Sequence, residues 1–145
     1  WTHLDTALTN GTGIVNSLSL TGKNSLYVSY VSGESAKYAY LFHKTLTDTV
    51  FTSVASPISA ESSLSFATSP NSASTNMFMA YRDSRNQYKG SVRLSGGSND
   101  SWRLLGSSAF TYSAVNSISA GISGSDVPWV ITHEGNRFVV YRYGL

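Results

Sequence analysis

Ser101-Trp102-Arg103-Leu104-Leu105-Gly106, then Val115-Asn116-Ser117-Ile118-Ser119, then Val127-Pro128-Trp129-Val130-Ile131, then Arg137-Phe138-Val139-Val140-Tyr141 is the stretch on which the fold turns. Each run is short, rich in β-branched and aromatic residues, and set off by Gly, Ser, Asn or Asp. Apolar residues alternate within the runs, which is the period of a pleated strand rather than of a helix. Four short strands separated by turn residues therefore form one unit, and nothing in it reads as a helix.

The same unit recurs on both sides of the chain's middle. Ser117-Ile118-Ser119-Ala120 has counterparts in Ser63-Leu64-Ser65-Phe66 and Ser17-Leu18-Ser19-Leu20. Pro128-Trp129-Val130-Ile131-Thr132 answers to Met77-Phe78-Met79-Ala80-Tyr81 and to Leu26-Tyr27-Val28-Ser29-Tyr30. The next strand is Arg137–Tyr143, Tyr88–Leu94 or Lys37–Phe42. The aromatic-led fourth is Trp102–Leu105, Val50–Val54 or, at the head of the chain, Trp1–Leu4. The period is about 50 residues throughout, and a fixed period of that size marks a repeat architecture.

The third unit resembles a widespread β-propeller blade repeat, in which a Trp-x-x-Leu-Gly strand precedes a Ser-rich strand, a Pro-aromatic-Val strand and a Lys/Arg-x-x-Val strand. The first two units depart from that pattern: Phe51 stands where Trp is usual, and no Leu-Gly follows it. The resemblance implies an all-β propeller with blades at about 14–54, 62–105 and 115–145, the last completed by strand 1–4. Propellers close with four to eight blades. Three blades are thus expected to pair as a homodimer into a six-bladed ring, with Trp1–Leu4 donated to the partner's last blade. Two alternatives stand beside this: a segment of a longer propeller, and a β-trefoil, which also has three four-stranded repeats but commonly carries a Gln-x-Trp element absent here.

Composition narrows the function. Charged residues make up 12% of the chain, about half the roughly 25% usual in soluble domains. A net charge of +2, spread thinly, does not suit a phosphate-backbone binder, so no nucleic-acid partner is expected. There is no cysteine, hence no disulfide framework and no thiolate metal site. No apolar run reaches the length of a membrane span, so no membrane insertion is expected. The hydroxyl-rich surface and the sequons Asn10-Gly11-Thr12 and Asn99-Asp100-Ser101 point to an extracellular setting.

Catalytic patterns are poor. His3, His43 and His133 sit in or beside strands without a Gly-x-Ser-x-Gly nucleophile turn. Acidic residues such as Asp100 and Asp126 lie in turn contexts, where carboxylates bond the local backbone. No calcium loop or His-x-x-x-His spacing is present, so neither a metal nor another cofactor is expected. The chain is therefore read as a non-catalytic binding module rather than an enzyme.

In the propeller arrangement, the loops joining strands 2 and 3 and those joining strand 4 to the next unit share one edge. Glu34, Arg82, Asp83, Arg85, Tyr112, His133, Glu134 and Asn136 gather there and are the candidate ligand-binding residues. Such groups hydrogen-bond sugar hydroxyls while aromatic rings stack on the apolar sugar face. Glycans or glycoproteins are accordingly the expected partners, with a lectin-like role. A protein-interaction segment of a larger adhesin or toxin is the alternative, and a sialidase-like glycoside hydrolase the less favoured one. Trp1, Trp102 and Trp129 are expected to pack within blades.

Overall fold

The computed structural model describes residues 13–20, 25–32, 38–45, 47–48, 50–53, 58–59, 64–71, 73–83, 86–87, 89–95, 102–106 and 109–144. The strand expected at Trp1–Leu4 lies outside these residues. Among them there is no α-helix, and the chain is all-β, built from three small antiparallel sheets. The first holds β1 (Gly13–Leu20), β2 (Ser25–Ser32), β3 (Tyr38–Thr45) and β4 (Thr52–Ser53) in that spatial order. A short β5 (Ile58–Ser59) also pairs with β3, at Tyr38 and Ala39. The second sheet runs β6 (Leu64–Thr68), β7 (Met77–Asp83), β8 (Lys89–Ser95) and β9 (Arg103–Leu104). The third runs β10 (Ser117–Ile122), β11 (Pro128–Glu134) and β12 (Arg137–Arg142). Every neighbouring pair in these meanders is antiparallel, and β1–β2 carries a register shift between Val15 and Ser17.

The second sheet is the middle layer, and its sequence says so. Met77-Phe78-Met79-Ala80-Tyr81 is a continuous apolar run in which every residue is buried, as a strand covered on both faces requires. Met77, Met79 and Tyr81 join Leu64 and Phe66 against Val31 of the first sheet, with Tyr27 and Trp102 packed alongside. Phe78 and Ala80, pointing the other way, meet Ile118 and Val130 of the third sheet. Pleating alone separates these two clusters. Each apolar side chain fully withdrawn from water contributes about 1.5–3 kcal/mol, so β7 is the strand on which both junctions depend.

The first strands of the sheets lie side by side: β1 against β6, and β6 against β10. The amide of Ala120 donates to Ser65 Oγ at 2.9 Å, joining two of these strands across sheets. Trp102 packs edge-on to Phe66, with ring centroids 6.3 Å apart, as its expected packing role requires. Trp129 differs from expectation. It is 44% exposed, because alternation along β11 turns Pro128, Val130, Thr132 and Glu134 inward and leaves Trp129 and Ile131 on the opposite face.

One buried hydroxyl works against the core. Ser29 is fully buried on β2, and its Oγ has no hydrogen-bond partner. Ala80 occupies the same place in the second unit, so an alanine methyl already fits this environment. Ser29→Ala is expected to raise stability by about 1 kcal/mol, because the desolvated hydroxyl is removed without opening a large void. An unchanged or lower urea midpoint would contradict this.

Candidate functional site

Residues 109–116 form a strap from the end of the second sheet to the start of the third. At one end, Phe110 N donates to Gly90 O at 2.9 Å, and Gly90 N donates to Thr111 Oγ1 at 2.9 Å. At the other end, Asn116 N donates to His133 O at 2.7 Å, and Asn116 Nδ2 donates to Gly135 O at 3.3 Å. Thr111 and Val115 are buried, while Tyr112 between them is 87% exposed. Backbone bonds and two buried anchors thus hold an aromatic ring out in water at a defined place.

Glu134 completes the anchoring. Its carboxylate is buried and accepts from Thr132 Oγ1 and Tyr141 Oη at 2.7 Å each on Oε1. Ser113 Oγ, from the strap, donates to Oε2 at 3.0 Å. Burial by itself would raise this carboxyl's pKa. The hydroxyls of Thr132, Tyr141 and Ser113, aided by the charge of Arg137, outweigh burial and hold it below the usual glutamate range. Burial, followed by the bond to Glu134, pushes the Tyr141 phenol up to about 12.

The eight residues singled out from sequence fall into distinct groups. Glu34 and Arg85 lie outside the described residues. Arg82 and Asp83 end β7, opposite Gly90 and Lys89 of β8, and so stand beside the strap's first anchor. Tyr112, Glu134 and Asn136 are linked through it: Ser113 bonds Glu134, and Asn116 bonds the carbonyl of Gly135 in the Gly135–Asn136 turn. Gly135 has φ +62°, the left-handed value that a two-residue hairpin with glycine first requires. His133 contributes its carbonyl to the strap, but its ring leaves for the outward sheet face, stacked on Phe138 with centroids 4.8 Å apart.

Two features had no signal in the residue pattern. A cavity of about 100 Å³ lies between the second and third sheets, lined by Leu105, Phe110, Pro128, Val130, Tyr141 and Tyr143 among others. Its aromatic wall, with Phe110 edge-on to Tyr141 at 4.9 Å, arises from segments far apart in sequence. At the opposite end of the sheets, Asp126 bridges two hairpins, accepting from Ser69 and Ser74 and from Asn76 Nδ2 at 2.9 Å. Asp126 has φ +59°, a conformation that aspartate tolerates better than most residues. Burial opposes its ionisation, but the three bonds prevail and lower its pKa.

Among the described residues, these two carboxylates contribute to the acid behaviour. Both pKa values are lowered on folding, so their stabilisation is complete above the ordinary carboxylate range and is lost as pH falls through the folded values. The thermal midpoint is expected to hold near neutrality and to drop below about pH 4. Asp126→Asn should flatten part of that drop, and an unaltered profile in this variant would count against the bridge. Among the described residues, no cluster of three or more acidic or histidine side chains is placed to hold a metal ion.

No protein-family model matches the chain, and no curated protein matches it either.

Proposed function

We propose that the three sheets are successive blades of a β-propeller and that the chain is a non-catalytic, carbohydrate-binding module. Support for the propeller over the trefoil comes from three antiparallel meanders that follow one another in the chain, stack face to face and set their first strands side by side. The observation that carries the binding reading is Tyr112, an exposed ring on a strap anchored at both ends. Polar groups surround its anchors: Arg82 and Asp83 near Gly90, and Asn136 beyond Asn116. An exposed aromatic face on an anchored strap suits a pyranose, whose CH-rich face stacks on the ring while its hydroxyls hydrogen-bond. In this reading Glu134 positions the strap and leaves ligand contact to its neighbours.

Neither Asp126 nor Glu134 suits the hydrolase reading. A glycosidase needs one carboxyl with a raised pKa to serve as general acid, whereas Asp126 and Glu134 are both held more acidic than usual. An extracellular setting would suit glycan recognition.

A glycan array with competition by free monosaccharide tests the proposal. Tyr112→Ala is expected to weaken binding about tenfold, the equivalent of about 1.4 kcal/mol, without moving the thermal midpoint. No glycan signal, or one indifferent to Tyr112→Ala, would defeat it. Turnover of aryl-glycosides abolished by Asp83→Asn would replace it with the hydrolase.

A further inference from the structure

We propose that the cavity between the second and third sheets is a binding site for an indole ring. Its volume is about 100 Å³, and Leu105, Phe110, Pro128, Val130, Tyr141 and Tyr143 make up most of its wall. The polar groups nearby are already engaged. Tyr141 Oη donates to Glu134 at 2.7 Å, and Pro128 O accepts from Tyr143 N at 3.1 Å. The Arg142 guanidinium lies 5.5 Å from the Trp129 ring, on the outward face of the sheet. A buried water needs about two to four polar partners, so this cavity favours an apolar guest. A protein cavity of about 150 Å³ with aliphatic and aromatic walls stays dry and takes up benzene. Tyr143 is 43% exposed and marks the mouth, so the benzo ring of an indole can enter while its N–H stays in water.

The chemistry of the guest is specified by the preceding junction, where the equivalent space is filled. Strands β7 and β11 have equal length and pair with the next strand in the same register. Met79 lies opposite Arg93 as Val130 lies opposite Tyr141, and Met77 lies opposite Ser95 as Pro128 bonds Tyr143. Met77 and Met79 turn towards the first sheet, and Val130 towards the second. Beside Met77 and Met79 the space is closed by Trp102. It precedes β9, whose Arg103 lies opposite Leu94, and its indole packs against the cluster of Met77, Met79 and Phe66. Carried by register onto the third sheet, that position falls at Pro128, Val130 and Tyr143, which line the cavity. Ala120 takes the place of Phe66 there, and Phe110 and Tyr141 supply the aromatic wall, edge-on at 4.9 Å. Among the described residues, no tryptophan lines this cavity. Two sources can supply the ring: a free indole compound, or the side chain of Trp1. The run Trp1-Thr2-His3-Leu4 matches Trp102-Arg103-Leu104-Leu105 at its first and last places.

The inference stands on register and packing rather than on the glycan reading, and its test involves no sugar. Calorimetric titration of the 145-residue chain with indole is expected to show saturable binding, and the thermal midpoint should rise with indole concentration. Intermolecular NOEs should connect the bound indole to the methyl groups of Val130 and Leu105. Leu105→Trp, which puts a ring into the cavity, should weaken binding about tenfold or more while keeping the β-sheet circular dichroism. Tyr112→Ala should leave the affinity unchanged, and a loss there would place the indole on that exposed ring and overturn the inference. Trp1→Ala separates the two sources. Equal affinity in both chains assigns the site to a free indole compound. Binding that strengthens or appears only in Trp1→Ala assigns it to the chain's own tryptophan. Absence of saturable binding in both chains overturns the inference, as does an indole bound without contact to Val130 and Leu105.

Discussion

Gly90→Ala is expected to lower stability by about 1–3 kcal/mol, a large effect for one methyl group on a strand. A Cβ at Gly90 would lie 2.9 Å from Cε1 and Cζ of Phe110 and 2.9 Å from Cγ2 of Thr111. Relief is difficult on either side. The Phe110 ring is backed edge-on by Tyr141, and Thr111 is buried and bonded to Gly90 N through its hydroxyl. Separating the strap from the strand would also stretch the Phe110 N to Gly90 O bond. The substitution should thus shift the urea midpoint downward and, through the strap, displace Tyr112 and weaken ligand binding. Adding Phe110→Leu should recover part of the loss, because a smaller side chain yields room at the point of collision. An unchanged midpoint in the Gly90→Ala chain would show that the strap does not press against β8 as described.

Glu134→Gln should cost about 2–3 kcal/mol, the range for disrupting hydrogen bonds to a buried charged acceptor. The substitution keeps size and shape but replaces an oxygen that accepts with an amide group that only donates. Three hydroxyls currently point at the carboxylate, and an amide cannot satisfy them all. Ser113 is one of the three, so loosening of the strap and weaker ligand binding are expected alongside the stability loss. Tyr141→Phe removes one donor and leaves Thr132 on the same oxygen, so it should cost less, about 1 kcal/mol. The two substitutions share one network and should fall short of additivity in a double-mutant cycle. Additive losses would argue that Tyr141 and Glu134 act independently.

The same pair bounds stability at high pH. In the folded chain, burial and the bond to Glu134 push the Tyr141 phenol up to about 12, above the ordinary tyrosine value near 10. A raised folded pKa means that the associated stabilisation is complete below about pH 10 and disappears as pH rises towards 12. Tyr141→Phe should therefore flatten the alkaline limb of the stability profile, just as removal of a bridging carboxylate flattens the acid limb.

Much of the architecture is legible along the chain. Trp129-Val130-Ile131 and Met77–Tyr81 are both unbroken apolar runs, which mark strands but do not tell the one covered on a single face from the one covered on both. The recurring Ser-x-Ser runs fall on the first strand of each sheet: Ser17 and Ser19 lie within β1, Ser65 in β6, and Ser117 and Ser119 in β10. Part of the candidate site is legible too. Tyr112, Glu134 and Asn136 are marked by their loop positions, and the strap does link them. Their division of labour is not visible: Glu134 and Tyr112 look alike as polar or aromatic loop residues, yet one is buried among hydroxyls and the other stands in water. Trp129 departs from its expected packing for a related reason. An indole in a strand reads as core from composition, but the side on which it falls depends on which neighbours are inward.

Residue order alone is enough for the all-β class, the repeat of about 50 residues and the positions of most strands, because those depend on local alternation and on turn residues next to one another. Only in three dimensions do Gly90, Phe110 and Tyr141 meet, does Asp126 join two hairpins, and does Glu134 hold a strap. The hydrogen bonds involved join groups 21 to 57 residues apart, and their energies depend on distances and burial that no periodicity encodes. The exposure of Trp129 and Ile131 belongs to the same class, since a face becomes core or surface only through what packs against it.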